Sequence, residues 1–279
     1  MDNANSILLN RFFTRNTFKQ VIDDGESPAY IAAMRRYIVE PTRKTNKECI
    51  SEIYQYLKKE YQNEYYYKNT LLNKLLLGVH SPHTTTALTE VPVGNSKADF
   101  ILINGKAVVY EIKTALDNFD RLDGQIENYY KAFSRVVVVT SEKNFDDIQQ
   151  RLQNSPTGIC ILTKKGTLSV RKEPIEYNEM LSKSIMFKIL RKNEYEQILL
   201  KHFGRLPDVS QFEYYRVCQA MFETLPTDVA YQMFVQILKL RVKIDVVEYS
   251  KIPYELKFLI YFSNYKKSDY AKLCCFLNS

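Results

Sequence analysis

The chain has 279 residues, 45% of them hydrophobic, with only 8 glycines and 9 prolines; that is enough apolar material for one large or two modest folded domains, and it excludes a disordered or collagen-like chain. The formal charge of +7 is spread over both halves, which suits nucleic-acid contact through local patches as well as an ordinary solvated surface. Five cysteines, scattered apart from Cys274 and Cys275, and three histidines exclude a disulfide framework and a zinc knuckle. No apolar run reaches the length of a membrane span, and MDNANSILLNRFF lacks a basic start followed by an apolar core, so the expectation is a cytoplasmic protein.

Ile7, Leu8, Phe12 and Phe13 predict a short helix between Asn5 and about Phe18. Ser27 and Pro28 start a second, through Ile38, with serine as cap and proline in its first turn. Arg35 and Arg36 near its end, with Arg43, Lys44 and Lys47 beyond it, form the densest basic cluster of the first fifty residues: a solvated surface, or a phosphate-contact patch if the partner is nucleic acid. Thr45 and Glu48 have the form of a capping box, and Ile50, Ile53, Tyr54, Leu57 and Tyr61 then follow at helical spacing. Another helix runs from about Asn63 to Gly78, where glycine would take a left-handed cap. Glu64 in its first turn suits the helix dipole. His80 and His83 fall in a polar connector and are read as loop residues.

Leu88 to Val93 predict the first strand; Glu90 within it must face solvent, a partner or an ion, and Pro92 argues for an edge or a bulge. Asp99 opens the second strand, and Glu111 and Lys113 close the third on one face, two residues apart. The Asn104-Gly105 turn decides whether the acids meet. A two-residue loop would put Asp99 opposite Tyr110 and turn Glu111 away, whereas a three-residue loop, Ile103 to Gly105, pairs Leu102 with Lys106 and sets Asp99 and Glu111 diagonally on one face. The three-residue loop is the expectation. Two crowded carboxylates favour a divalent cation between them, and oxygen ligands select Mg²⁺ or Mn²⁺. Glu90 is a third candidate ligand, and Lys113 could stabilise charge growing on a phosphate oxygen.

Leu116, Phe119, Leu122, Ile126, Tyr129, Tyr130 and Phe133 mark one face of a helix that must pack on the sheet, with Gln125 and Tyr129 four apart on one side. Arg135 to Thr140 is the continuous apolar run of a buried parallel strand. A helix through Leu152 and strands over Gly158 to Thr163 and Thr167 to Arg171 follow. Beyond Pro174 only helical periodicity remains, over Leu181 to Phe203, Ser210 to Leu225, Thr227 to Leu240 and Tyr254 to Leu277. The expected division is 1–44 for N-terminal helices, 45–173 for a catalytic core, and 174–279 for a separate all-helical region that packs, self-associates or binds a protein partner.

Ala98-Asp99, Glu111-Ile-Lys113 and Gln125-x-x-x-Tyr129, in that order, resemble the PD-(D/E)xK nuclease superfamily, the last pair its RecB-like branch. The NEYYYKN and LNKLLLG segments between Asn63 and Gly78 resemble a bacterial and prophage family within it. Ala98 departs from the proline of the superfamily's motif. The resemblance implies an α/β restriction-endonuclease-like mixed sheet flanked by helices, and Mg²⁺-dependent endonuclease-type hydrolysis of phosphodiester bonds, with DNA preferred to RNA. It further implies Asp99 and Glu111 as metal ligands, assisted by Glu90 and, through water, Glu64. Lys113 is then catalytic, and Gln125 and Tyr129 reach toward DNA or the attacking water. The bland alternatives are Tyr129 in the core with Gln125 at its margin, and a Glu111–Lys113 salt bridge with Asp99 as a strand-end cap. As a function, the alternative is a catalytically silent nucleic-acid-binding or protein-interaction module on the same fold.

Overall fold

The structure, a computed structural model, describes residues 3–279. Contacts divide the chain into two compact units: one comprises everything described up to Pro82 together with Leu162–Leu168 and Lys243–Ser279, the other His83–Ile161 and Ser169–Val242. These units do not follow the expected boundaries near residues 44 and 173, and the reason lies in the packing of each.

The first unit begins with α1 (Asn3–Phe12), α2 (Arg15–Asp24), α3 (Pro28–Tyr37), α4 (Asn46–Glu60) and α5 (Glu64–Leu71). Thr45 and Glu48 close the expected capping box on α4, and the Asn63 side chain caps α5 by accepting from the Tyr66 amide. The α5 segment does not end in a left-handed glycine. It widens into π-helix over Leu72–Val79, Gly78 lies inside that stretch, and the His80 amide closes it on the Leu75 carbonyl. Of the predicted basic cluster, Arg35 and Arg36 are exposed in the last turn of α3, and Lys47 is exposed on α4. Arg43 and Lys44 are paired with Glu40 and Glu52.

The second unit is built on a six-stranded mixed sheet in sequential order: β1 (Thr86–Val93), β2 (Ser96–Asn104), β3 (Lys106–Lys113), β4 (Arg135–Ser141), β5 (Gly158–Leu162) and β6 (Leu168–Lys172). β1, β2 and β3 are antiparallel, and β4 runs parallel to β3, as its unbroken apolar run requires. The β2–β3 turn is tighter than expected. Asn104 pairs with Lys106, and only Gly105, at φ +68°, lies between them. The register therefore moves by two residues from the three-residue loop, keeps the same faces, and brings Asp99 from the diagonal to the position directly opposite Glu111.

α6 (Leu122–Tyr130) starts late. Asp117 Oδ2 accepts from both the amide and the hydroxyl of Thr114, at 2.7 Å each, which holds the segment after β3 in a turn and leaves Leu116 75% exposed. α7 (Phe145–Arg151) follows β4. The helices α8 (Lys183–Ile189), α9 (Lys192–Phe203), α10 (Gln211–Glu223) and α11 (Thr227–Leu238) are no separate tail: Met186, Phe187, Phe222 and Phe234 share one continuous core with Ile101, Val109, Phe133, Val136 and Val138. A nine-residue α6 cannot cover the sheet by itself. Phe234 of α11 packs on Phe133 at 5.6 Å between ring centroids, and the Thr86 hydroxyl of β1 donates to the Lys239 carbonyl.

The expected long helix over Leu181 to Phe203 breaks at Leu190, where the backbone is extended, because Glu194 is recruited to cap the amide of Arg191. The same carboxylate receives a two-pronged contact from Arg241, Nε to Oε1 at 2.7 Å and Nη2 to Oε2 at 2.6 Å, while Arg241 Nη2 also donates to the Ile189 carbonyl.

The chain ends in α12 (Val246–Ser250), α13 (Lys257–Tyr261) and α14 (Lys267–Asn278) of the first unit, where one helix was expected from Tyr254. The chain turns between α13 and α14 at Asn264, φ +55°. These helices complete the N-terminal core. Asn69 donates to the Tyr254 carbonyl and accepts from the Phe258 amide, and the Asn46 amide donates to the Ser279 carbonyl. Among the described residues, no helix is long and apolar enough to cross a membrane.

Burial pushes the Glu194 carboxyl up, but the Arg241 fork, the Arg191 amide and the nearby positive charge outweigh it and hold the group below the usual carboxylate range. A depressed native value means that this stabilisation is present above the unfolded-state value and is lost as pH falls through the native one. Arg241→Met should therefore cost about 3–5 kcal/mol at neutral pH, since it strands a buried carboxylate. The deficit should shrink on acidification, as followed by urea unfolding at pH 7 and pH 4; an equal deficit at both would contradict this role.

Candidate active site

The carboxyl-terminal end of β3 fixes two of the candidate residues. Glu111 and Lys113 alternate onto the same face as Val109 and Ala107, which is the face that α6 covers. The strand end is pinned by two buried polar groups: Thr140 Oγ1 donates to the Lys113 carbonyl at 2.9 Å, and Asn144 Nδ2 to the Thr114 carbonyl at 2.9 Å.

Glu111 is 1% exposed, and a carboxylate so buried needs partners for both oxygens. Lys113 Nζ lies 2.9 Å from Oε1. The Tyr129 hydroxyl lies 2.6 Å from Oε2 and 2.9 Å from the Lys97 carbonyl. Lys113 also donates to Gln125 Oε1 at 2.8 Å. Gln125 and Tyr129 are one helical turn apart on α6, so a single helix face supplies a partner to both the lysine and the glutamate. Burial above all, and then the charge and hydrogen bond of Glu111 and the charge of Asp99, raise the Tyr129 phenol far above its ordinary value. It is thus a fixed donor at neutral pH and no base.

Asp99, opposite Glu111, accepts from the Ile112 amide through Oδ2 at 2.9 Å, and the Thr89 hydroxyl donates to its carbonyl at 2.7 Å. Glu90 faces it across the β1–β2 ladder, between the Thr89–Phe100 and Val91–Ala98 pairs. Its φ of +56° is rare for glutamate and changes the phase of both strands: the sheet's core-facing residues run Leu88, then Val91 and Val93 on β1, and Ala98, then Ile101 and Ile103 on β2. Carboxylate oxygens of Glu90 and Asp99 come within 4.8 Å of each other, and Glu90 is paired with Lys97. Glu64 belongs to the other compact unit, in the first turn of α5, where its Oε1 lies 2.6 Å from Lys68 Nζ.

Asp99, Glu111, Lys113, Gln125 and Tyr129 are therefore brought together, and Glu90 joins Asp99. The metal-ligand expectation changes in one respect. Both oxygens of Glu111 are engaged by protein, so the oxygen pair disposed to share a cation is Glu90 with Asp99, at a separation that two bonds of about 2.0–2.6 Å can span. Each acid also has a structural role: Asp99 satisfies the Ile112 amide, and Glu111 neutralises a lysine only 11% exposed. Thr140 and Lys97 were not singled out from the sequence, and Asn144 was expected as the cap of the helix through Leu152, whereas its side chain makes no cap bond and reaches the Thr114 carbonyl instead.

A family model described as bacteriophage P4 protein cII matches residues 57–255 of this chain. Protein cII of Enterobacteria phage P4 is 29% identical over 119 residues, an alignment that covers 41% of this chain and 44% of that protein. No solved structure matches. These findings correct the expected membership of the PD-(D/E)xK superfamily: its motif residues are present and converge, but the family whose model fits the chain is a different, phage-related one. With a match that spans well over half its length, the chain belongs to the bacteriophage P4 protein cII family.

Proposed function

We propose that the second unit is a divalent-metal-dependent phosphodiesterase acting on nucleic acid, with DNA the preferred substrate. The observation that carries this reading is the single-face assembly of Asp99, Glu111, Lys113, Gln125 and Tyr129 with Glu90 beside Asp99. Glu90 and Asp99 would hold Mg²⁺ or Mn²⁺, which when bound supplies Lewis-acid polarisation of a phosphate oxygen and a more acidic water. The chain's own groups do the rest. Lys113 offers an ammonium to charge growing on phosphate, Gln125 aims that ammonium, and Tyr129 holds Glu111 as a charged, oriented acceptor within reach of the lysine's protons.

A second reading, a silent nucleic-acid-binding or protein-interaction module, is favoured by one observation: Glu111 is already saturated by Lys113 and Tyr129. In that case the cluster is a buried, self-neutralised strut, and removing it would cost stability and nothing else.

Conservative variants separate the two. Asp99→Asn keeps an acceptor for the Ile112 amide and removes the charge; it should lower Mg²⁺-dependent cleavage of labelled DNA by about 100-fold or more with little change in melting temperature. A silent module would show no cleavage by the unaltered protein to lose. Tyr129→Phe leaves Glu111 Oε2 without its donor and should cost about 1–3 kcal/mol in urea unfolding, with cleavage reduced more than Mn²⁺ affinity.

Glu90→Gly should act in opposite directions on fold and function. Glycine relieves the left-handed backbone, raising stability by about 1 kcal/mol, while loss of the carboxylate weakens Mn²⁺ binding in calorimetry. A variant that is both less stable and unaltered in Mn²⁺ affinity would remove Glu90 from the site.

A further inference from the structure

Next to the acidic cluster, and within the same unit, lies a cavity of about 390 Å³ between the β1–β2 turn, α6 and α8. Its lining includes Gly94, Asn95, Asn128, Lys131 and Lys188, with Pro92 and Ile189 at the apolar side. We propose that this cavity binds a phosphate of the nucleic-acid strand, one step along the backbone from the Glu90–Asp99 site; the choice of ligand rests on the phosphodiester reading above.

Three observations carry it. The first is charge: two ammonium groups converge on the cavity, Lys131 at the end of α6 and Lys188 on α8. Lys188 is exposed and makes no ion pair among the described residues, so its charge is available to a ligand. Glu127 is the acid at this place, and it lies 2.8 Å from Lys131 Nζ; Asn128 Oδ1 also accepts from Lys131 at 3.3 Å. Lys131 is thereby oriented and half-neutralised, and Lys188 supplies the unbalanced charge.

The second observation is how tightly the wall is built. Val93 pairs with Ser96, leaving Gly94 and Asn95 as a two-residue turn with φ +58° at Gly94, the glycine-first pattern of a II′ turn. A Cβ at Gly94 would meet Asn128 Oδ1 at 3.0 Å, so glycine lets the turn close on α6. Asn128 Nδ2 then donates to Ser96 Oγ at 2.9 Å. The third is connection to the acidic cluster. Asn128 precedes Tyr129, which bonds Glu111; Ser96 precedes Lys97, whose carbonyl lies 2.9 Å from the Tyr129 hydroxyl. Pro92 of the lining is two residues from Glu90 on β1, about 7 Å along an extended strand, a spacing on the scale of neighbouring phosphates.

The test uses the full chain and a fluorescein-labelled single-stranded oligonucleotide in EDTA, so that binding is read without turnover. Lys188→Ala should weaken binding several-fold and lower the magnitude of the slope of log K against log salt by about 0.7, the signature of one lost phosphate contact on a single strand. Lys143→Ala, an exposed lysine at the start of the β4–α7 connection, serves as a control for general charge and should change neither. Equal effects of the two variants, unchanged binding by Lys188→Ala, or no binding by the unaltered protein would each overturn the proposal. So would displacement of the oligonucleotide by inorganic phosphate at matched phosphate concentration, which would assign the cavity to a free anion. The phosphodiester reading fails separately: if Lys188-dependent binding is found but Mg²⁺ yields no cleavage, the cavity stands and the hydrolysis does not.

Discussion

The second unit turns on one buried charge. Glu111 sits at the end of a central strand, almost fully removed from water, and a carboxylate there is tolerable only if both oxygens are met by donors held in place. Lys113 and Tyr129 meet that need, and each is fixed by something else: Lys113 through Gln125 and the Thr140 contact to its backbone, Tyr129 by zero exposure under α6. α6 must therefore lie at one distance and one rotation over β3, which explains why a turn at Thr114 to Asp117 delays its start. It also leaves much of the sheet bare. The helices α8 to α11 cover the remainder, which is why the C-terminal half folds onto the sheet and does not stand apart from it.

A second constraint acts on β1 and β2. Ordinary alternation would carry one set of side chains to the core along the whole hairpin, but the left-handed backbone at Glu90 moves β1 by one residue, and β2 shifts its phase at Asp99 and Phe100. Backbone strain of this kind costs about 1–3 kcal/mol and persists where surrounding structure over-determines it. Here the surrounding structure is the Thr89–Phe100 and Val91–Ala98 pairing on either side. The consequence is that Val91 and Ala98 take core positions that strict alternation from Leu88 and Ile101 would have given to Glu90 and Asp99, and the two acids meet at the kink.

Much of this was legible in the sequence because it depends on period and parity. Face assignments along β2 and β3 survive any even change in register, so Asp99 and Glu111 were correctly set on one face although the turn itself was two residues tighter than expected. The buried run of β4 and the α4 capping box depend on neighbours in sequence and were likewise readable. What could not be read depends on side chains that capture distant backbone. Glu194 breaks a helix by capping Arg191, Asp117 holds back α6, and Asn69 ties α5 to residues nearly two hundred positions away. Pro92 signalled an edge or a bulge in β1, which is an edge strand, but the left-handed backbone at Glu90 itself was not readable, since a glutamate gives no sign of positive φ.

The convergence of motif residues in a chain whose family match lies elsewhere separates two kinds of evidence. Spacing of Asp, Glu, Lys, Gln and Tyr across a hairpin and a helix specifies which groups can touch, and the fold brings those groups into contact. It does not specify descent, and it does not say whether the contacts serve turnover or only satisfy one another. The distinction rests on how the charges are distributed. A cluster that existed only to bury Glu111 would be complete with Lys113 and Tyr129, and would gain nothing from a strained Glu90 set close to Asp99, where like charges repel. Glu90 is paired with Lys97 and Asp99 accepts from the Ile112 amide, so each acid has a protein partner, and their oxygens still approach within 4.8 Å of each other, a separation the proposed cation would span. The proposed metal chemistry therefore rests on Glu90 and Asp99 more than on the Glu111–Lys113 pair at the end of β3.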